Sequence, residues 1–203
     1  MNDRSVCYSA GLMSESPWFH EFKKMVFMTY DKVAPEEIRR RCVEENMFGM
    51  PKAYRALRTY GYLLNRINLM DDSLVELFCT SDLSTQKLIN FITVIMGDRL
   101  FFEFVNEVYR DKVQLGYSEL TISEINVFFT DKSLQDEDMK AWKDTTFKRL
   151  RSGYFQFMTD ANLLRKEKTR YLITPPVVDI ALERYLQYSG RERFLKAIMG
   201  VRC

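Results

Sequence analysis

The sequence predicts a mainly α-helical protein that carries one short β-hairpin in its C-terminal half. Glycine and proline number only eight and five among 203 residues, which disfavours a turn-rich β architecture. Apolar residues recur at helical spacing along most of the chain, whereas one β-prone run from Thr169 to Thr174 ends at a pair of prolines. These patterns predict a helical N-terminal domain over residues 1–83, with a helix-turn-helix-like pair. They also predict a helical C-terminal domain over 84–203, with a winged-helix-like segment at 99–176.

The first two helices are marked by their N-terminal residues. Ser16 is a candidate cap and Pro17 suits the first helical position, so the first helix is expected to start there and to bury an apolar face that begins at Trp18. A second helix opens at Pro35, where the two glutamates that follow favour the positive end of the helix dipole. We expect it to end in a turn in which Gly49 takes the left-handed conformation.

A third helix is predicted from Lys52 to about Leu69, with one apolar and one basic side. The apolar side is expected to contain Ala53, Leu57, Tyr60, Leu64 and Ile67. The outward side lacks acids and supplies four candidate nucleic-acid-binding residues, namely Lys52, Arg55, Arg58 and Arg66. A helix, a glycine-containing turn and an arginine-faced helix together make a helix-turn-helix candidate. The alternative interpretation is a plain solvated surface with a long connecting turn.

The middle of the chain is predicted to supply the buried helices. Asp71 begins a stretch that breaks the preceding helix and caps the next one. The strongly apolar segments 85–95 and 99–115 are typical of core helices. Thr121 and Glu124 have the spacing of a capping box, which starts a short helix. Two closing helices are expected near the C-terminus, at 178–188 and 192–199.

The segment 142–176 combines a two-faced helix with a basic hairpin. Its apolar stripe contains Phe147, Leu150, Tyr154, Met158 and Ala161. The opposite face has no carboxylate and holds five candidate nucleic-acid-binding residues, namely Thr145, Lys148, Arg149, Ser152 and Gln156. A basic turn follows, with three more candidates, Arg165, Lys166 and Lys168. A basic helix followed by a basic hairpin tip is how a winged helix-turn-helix meets nucleic acid, and a solvated helix with a surface hairpin is the alternative.

Charge is distributed unevenly along the chain. The net charge is only +2, but residues 139–170 have a balance of +6 and residues 36–70 a balance of +3. Residues 71–138 have a balance of −9. This asymmetry favours a polyanionic partner for the basic segments, although charge blocks also occur on plain solvated surfaces.

The residues that most catalytic sites need are scarce. There is one histidine, His20, and the four cysteines lack CxxC spacing, which is typical of a reducing compartment without a zinc site. No glycine-rich phosphate loop or GxSxG motif occurs. Residues 21–23 are similar to the end of one nuclease motif, but they lie in a helical pattern and lack a preceding catalytic aspartate on a strand. No signal peptide is visible, and the longest apolar run, 88–96, is too short to cross a bilayer. We expect a cytoplasmic protein that is not an enzyme, uses no cofactor or metal, and does not contact the membrane.

Several long strings resemble one known family. YSAGLMSESPWFHEFKKM, VEENMFGMPKAYRALRTYGYLLNRI, STQKLINFITVIMGDRLFFEFVNEVYRDKV and WKDTTFKRLRSGY with LITPP are similar to the BrxA family of bacteriophage exclusion (BREX) defence systems. The resemblance covers nearly the whole chain, from Tyr8 to about Gly200. It implies a largely helical cytoplasmic protein of bacteria, described as similar to the antitermination factor NusB, with a nucleic-acid-binding role. It also implies operon partners, among them a DNA methyltransferase, a large ATPase, a phosphatase-like protein and a Lon-like protease.

These observations lead to one functional expectation and two alternatives. We expect a non-enzymatic protein that binds double-stranded DNA within phage defence, because the outward helical faces carry Arg, Lys, Thr and Gln and only one aromatic residue, Tyr62. Readers of single-stranded RNA usually display aromatic stacking platforms. The first alternative is a helical adaptor that docks other defence proteins through its basic faces. The second is RNA binding in the manner of NusB, which would favour a purely helical bundle.

Overall fold

The computed structural model describes residues 7–200, and their contacts divide them into two compact units. The first, here called the helical unit, is Pro17–Gly97. The second, here called the helix–sheet unit, combines residues 7–16 with 98–200. Within residues 7–200, no helix combines the length and apolar composition needed to span a membrane.

The helical unit contains five α-helices. They are α1 (Phe19–Tyr30), α2 (Pro35–Arg39), α3 (Ala53–Ile67), α4 (Asp72–Thr80) and α5 (Leu83–Gly97). A π-helical turn, Arg40–Glu44, extends α2. As predicted, α5 is central, since ten of its residues are buried and it packs against α1, α3 and α4. The predicted domain boundary after residue 83 would separate α5 from these three helices. The contacts instead place α5, up to Gly97, in the same unit as α1, α3 and α4.

The start of α1 differs from the prediction by two residues. The helix begins at Phe19, because Trp18 has a left-handed backbone with φ of 42°. Pro17 therefore lies outside the helix, and its carbonyl oxygen is free to accept hydrogen bonds. Arg66 Nη1 and Asn90 Nδ2 each donate to that oxygen at 3.0 Å.

Other local signals are confirmed. Asp71 caps α4 by accepting a hydrogen bond from the backbone N–H of Leu74 at 2.9 Å. Gly49 has φ of 65°, as expected for the turn after α2. Thr121 and Glu124 form the predicted capping box.

The helix–sheet unit contains seven α-helices and a three-stranded sheet among its described residues. In order they are α6 (Arg99–Phe104), α7 (Arg110–Gln114), β1 (Glu119–Leu120), α8 (Ile122–Gln135), α9 (Glu137–Lys140), α10 (Asp144–Asp160), β2 (Leu164–Glu167), β3 (Arg170–Ile173), α11 (Ile180–Tyr188) and α12 (Glu192–Met199). A π-helical turn, Val105–Tyr109, joins α6 to α7. The described chain is thus mainly helical, as predicted, with one small sheet.

The sheet is antiparallel, in the order β1-β3-β2. β3 matches the predicted β-prone run, and Leu120 in β1 pairs with Tyr171 in its centre. β1 was not predicted, because a strand of two residues leaves no periodic signal. Arg165 and Lys166 lie in β2 and not in a turn, and α8 is longer than expected, with 14 residues.

The core of the helix–sheet unit is built around Tyr154. Its ring stacks on Phe101 at 4.0 Å between centroids and lies 5.6 Å from both Phe104 and Phe129. Tyr154 and Met158 are fully buried, so one side of α10 packs into the interior. The opposite side of α10 is consequently turned to solvent.

Candidate nucleic-acid interface

α10 presents five polar side chains on one solvent-facing side. All five residues predicted there are exposed, namely Thr145, Lys148, Arg149, Ser152 and Gln156. The other four follow Thr145 at three, four, seven and eleven residues, which keeps all five on a single helical face, and they contribute two positive charges and no negative one. The face ends at Gln156, about one turn before α10 ends at Asp160.

Two features fix the orientation of this face. Gly153 faces the residue 7–16 segment, and a Cβ built on it would lie 3.6 Å from the carbonyl oxygen of Leu12, so this side of α10 is closely covered. On its flank, Arg151 Nη1 donates to Asn126 Oδ1 of α8 at 2.8 Å. Arg151 is therefore engaged with α8, while Lys148 and Arg149 extend into solvent.

The β2–β3 hairpin holds the remaining basic candidates of this unit. Arg165, Lys166 and Lys168 are all exposed. Arg165 Nη2 forms an ion pair with Glu167 Oε1 at 2.8 Å, and Lys166 Nζ lies 5.7 Å from the ring centroid of Tyr171. Lys168 is at the tip, where the chain turns with φ of 53°.

Aromatic stacking connects the hairpin to α10. The ring of Tyr171 stacks on Phe155 with a centroid distance of 4.1 Å. Phe155 is 3% exposed, so the contact is part of the interior. The hairpin and the exposed face of α10 are thereby held as one surface of the helix–sheet unit.

A second basic surface lies on α3 in the helical unit, and it is smaller than predicted. Lys52, Arg55 and Arg58 are exposed. Arg66 is 4% exposed, and its side chain is directed inward to the Pro17 carbonyl and to the ring of Trp18, 5.9 Å away. The prediction that Arg66 lies on the outward face is therefore wrong.

The error at Arg66 arises from a rotation of α3 about its axis. The buried side contains Ala56, Thr59, Tyr60, Leu63, Arg66 and Ile67. Ala53 and Leu57, which were predicted to be inside, are exposed, Leu57 at 48%. Within the buried stripe the arginine donates to the Pro17 carbonyl and lies beside the Trp18 ring, and both of these groups come from a distant part of the sequence.

A charged cluster fixes α8 against α6 and against the residue 7–16 segment. Glu103 accepts hydrogen bonds from Lys132 Nζ at 2.6 Å, from the Tyr8 hydroxyl at 2.6 Å and from Arg99 Nε at 2.7 Å. Burial by itself would raise the pKa of Glu103, but these three donors outweigh it and hold that pKa below its usual range. Burial, followed by the bond to Glu103, raises the pKa of Tyr8 to about 12.

Some of the acidic residues of the segment 71–138 form ion pairs within this cluster. Lys132 is 8% exposed and pairs with both Glu103 and Glu107. These acids are neutralised inside the unit, so the charge balance of residues 71–138 overstates the negative charge that solvent meets. In residues 7–200, no group of three or more His, Cys, Asp or Glu side chains is arranged to hold a metal ion.

The comparisons with known proteins agree with the resemblance found in the sequence. The BrxA family model matches residues 7–190. A protein named "BREX protein BrxA" from Bacillus cereus (strain H3081.97) is 28% identical over 193 residues, which cover 95% of this chain and 96% of that protein. A crystal structure of an uncharacterized protein from Magnetospirillum magneticum has a TM-score of 0.82 over 97% of this chain and 100% of that chain, and at 17% identity it is a likeness of fold. Because the family model spans most of the sequence, this chain belongs to the BrxA family.

Proposed function

We propose that this protein is a non-enzymatic component of a BREX phage-defence system and that it binds double-stranded DNA. In this proposal the helix–sheet unit acts as a winged helix-turn-helix. The chain order supports this assignment, since the 99–114 helical segment is followed by β1, α8, the one-turn helix α9, α10 and the β2–β3 hairpin, which is the order of helix, strand, helices and wing. The central place of β3 between β1 and β2 supports it as well.

α10 is the proposed recognition helix. The face from Thr145 to Gln156 contains twelve residues, which span about 16 Å at 1.5 Å per step, and a major groove about 12 Å wide admits a helix of this kind. Lys148 and Arg149 would neutralise phosphates, and Gln156 can hydrogen-bond to a base edge. The exposed, carboxylate-free face of α10 is the single observation that carries the proposal.

The hairpin supplies the proposed wing. Lys166 and Lys168 lie on the strand and at the tip of a hairpin that the Tyr171–Phe155 stack holds beside α10. Cations on a fixed hairpin can contact the phosphates that flank the groove occupied by α10. A duplex ligand is favoured over single-stranded RNA because the exposed face of α10 offers no aromatic ring for base stacking.

Two double variants test which basic surface binds the duplex. Lys148→Ala with Arg149→Ala changes α10, and Arg55→Ala with Arg58→Ala changes α3, so both remove two exposed positive charges. We expect the α10 variant to bind duplex DNA more weakly than the α3 variant does, because residues 139–170 have a larger positive balance than residues 36–70. The loss should be the same for every DNA sequence. Fluorescence anisotropy titrations at several salt concentrations, with duplex DNA, single strands and structured RNA, measure the effect.

Salt dependence gives a second measure in the same experiment. If about six phosphates are contacted, the logarithm of the binding constant should fall with the logarithm of salt concentration at a slope near −5, and the α10 variant should reduce that slope by about two. Matched circular dichroism melts control for folding. Wild-type affinity in the α10 variant together with loss in the α3 variant would assign binding to α3, and salt-insensitive binding would contradict an electrostatic interface.

Membership of the BrxA family supports the defence role and partners among the other BREX proteins, such as the methyltransferase and the ATPase. The efficiency of phage plating on cells that carry the complete system tests this role. We expect Lys148→Ala with Arg149→Ala to lower protection and Arg55→Ala with Arg58→Ala to lower it less. Full protection by an α10 variant that no longer binds DNA would separate the defence role from DNA binding.

A further inference from the structure

A groove of about 520 Å³ opens on the helix–sheet unit between the 105–114 segment and α8. Its apolar lining is formed by Val108, Val127 and Phe128. Val127 is 57% exposed although it lies in the middle of an ordered helix. The groove therefore offers water an apolar surface that a ligand could cover.

The rim of this groove is acidic. Its lining contains four carboxylates and two ammonium groups. Both lysines are already engaged, because Lys112 pairs with Glu124 and the largely buried Lys132 pairs with Glu107. Asp111 and Asp131 are exposed, and Asp111 also forms an ion pair with Arg110 Nε at 3.8 Å. The lining itself, with four carboxylates and two ammonium groups, has an excess of negative charge.

The groove is distinct from the surface proposed to bind DNA. α8 faces α10 through Asn126, which accepts the hydrogen bond from Arg151, and through Phe129, whose ring lies 5.5 Å from that of Phe147. Val127 and Asp131 line the groove from other positions on α8. An acidic rim repels phosphates, so nucleic acid is a poor occupant for this groove.

We propose that the groove binds an amphipathic helix of a protein partner, and that this helix carries Lys or Arg beside its apolar residues. The α8 side of the groove extends from Ser123 to Gln135, about 18 Å, which corresponds to about three helical turns of a ligand. Apolar side chains at helical spacing cover Val127 and Phe128. The flanking cations pair with Asp111 and Asp131, which sets the orientation of the bound helix.

The test uses two synthetic peptides and the full-length protein. One is a fluorescein-labelled 14-residue peptide of Leu and Lys with the leucines on one helical face, and the other has Glu in place of each Lys. Fluorescence anisotropy is measured in about 50 mM salt, where Coulomb interactions are only partly screened. We expect saturable binding of the Lys peptide and none of the Glu peptide.

Charge variants locate the binding site. Asp111→Lys with Asp131→Lys should weaken binding of the Lys peptide at least tenfold. Glu76→Lys with Asp138→Lys changes two other exposed acids and alters net charge by the same amount, so affinity should change less than twofold. If the Lys variant of the groove does not fold, Asp111→Asn with Asp131→Asn removes the charges without reversing them and should still weaken binding severalfold.

Valine variants test the apolar contact. Val127→Asp should weaken binding of the Lys peptide at least tenfold, whereas Val177→Asp changes a valine that is 96% exposed outside the groove and should have little effect. The proposal is overturned if the Lys peptide does not bind, or if the groove and control variants behave alike. Duplex DNA titrations of the same variants keep the two functions separate, because none of these substitutions changes α10 or the hairpin.

Discussion

Two groups from the chain just before α1 contact Arg66 in the interior of the helical unit. Its Nη1 donates to the carbonyl oxygen of Pro17 at 3.0 Å, and its guanidinium lies 5.9 Å from the ring centroid of Trp18. Buried polar groups are stabilising only while their partners are present. At this position a basic residue serves stability and cannot also contact a ligand.

We therefore expect Arg66→Ala to lower the free energy of unfolding by about 2–3 kcal/mol, through the lost hydrogen bond and the lost packing of its long side chain. The matched control is Arg55→Ala on the same helix, where an exposed substitution should cost within about 0.5 kcal/mol. Urea unfolding followed by circular dichroism measures both. Equal losses in the two variants would contradict the buried role of Arg66.

A second residue-scale feature is the buried N-cap of α6. Asp98 is 7% exposed, and its Oδ1 accepts a hydrogen bond from the backbone N–H of Phe101 at 2.8 Å. Burial raises the pKa of Asp98 to about 6, against the lowering effect of that hydrogen bond. A carboxyl with a raised pKa in the folded state prefers to be protonated there. Its contribution to stability is therefore fully present below about pH 4, the unfolded value, and is lost as the pH rises through 6.

Asp98→Asn should remove the loss of stability that wild type shows as the pH rises through 6. The substitution should still cap α6, since Asn is an equally good N-cap residue. The shift of the Asp98 pKa from about 4 to about 6, at about 1.36 kcal/mol per unit, predicts that the variant is more stable than wild type at pH 7.5 by about 3 kcal/mol. The difference should shrink towards zero as the pH falls below about 4. Urea unfolding at a series of pH values checks this, and a difference that is constant with pH would contradict it.

At the scale of elements, the position of α10 depends on contacts on both sides of it. Tyr154 stacks on Phe101 within the core, and Phe155 stacks on Tyr171 of β3. The hairpin is closed tightly, because Glu167 pairs with Arg170 and only Lys168 and Thr169 lie between the strands. Lys168 has φ of 53°, which is unfavourable for a residue with a Cβ.

Lys168→Gly separates the charge of this residue from its backbone conformation. Glycine adopts a positive φ without steric cost, so the variant should be as stable as wild type or more stable, by up to about 1 kcal/mol. Duplex binding should weaken, and the salt slope should fall by about one unit, if Lys168 contacts a phosphate. Thermal melts and salt-dependent titrations measure the two effects, and unchanged affinity and slope would exclude the tip from the interface.

At the scale of the whole molecule, charges of opposite sign are assigned to different surfaces. The helix–sheet unit exposes basic side chains on α10 and on the hairpin, and it uses part of its acids to bind Lys132, Lys112 and Arg99. Asp111 and Asp131 line the groove between the 105–114 segment and α8 together with Glu107 and Glu124. One basic and one acidic surface suit a protein that binds nucleic acid and a basic protein segment at different sites.

The purified protein is expected to leave DNA and RNA uncut in the presence of Mg²⁺ or Mn²⁺. A nuclease needs clustered carboxylates to hold the metal ion, and Glu21 lies on α1, which no strand precedes within residues 7–18. Gel assays over several hours with each metal check this prediction. Metal-dependent cleavage that survives repurification and disappears in Glu21→Ala or Lys23→Ala would contradict it.

The sequence by itself determined the features that arise from neighbours along the chain. Helical periodicity predicted α5 and the exposed face of α10, and side-chain caps predicted the starts of α4 and α8. These predictions succeed because such signals involve residues within a few positions of one another. The long strings of the sequence also identified the BrxA family correctly.

Tertiary structure alone decided the features that depend on distant residues. Periodicity shows that a helix has an apolar face, but α3 turned a neighbouring face inward because Pro17 and Trp18 accept Arg66 there. β1 exists because it can pair with β3, where Leu120 meets Tyr171 some fifty residues later. The acidic groove likewise forms only when α8 packs beside the 105–114 segment. In each case a partner that is remote in sequence supplies the hydrogen bonds or the apolar surface, and the local sequence pattern cannot identify that partner.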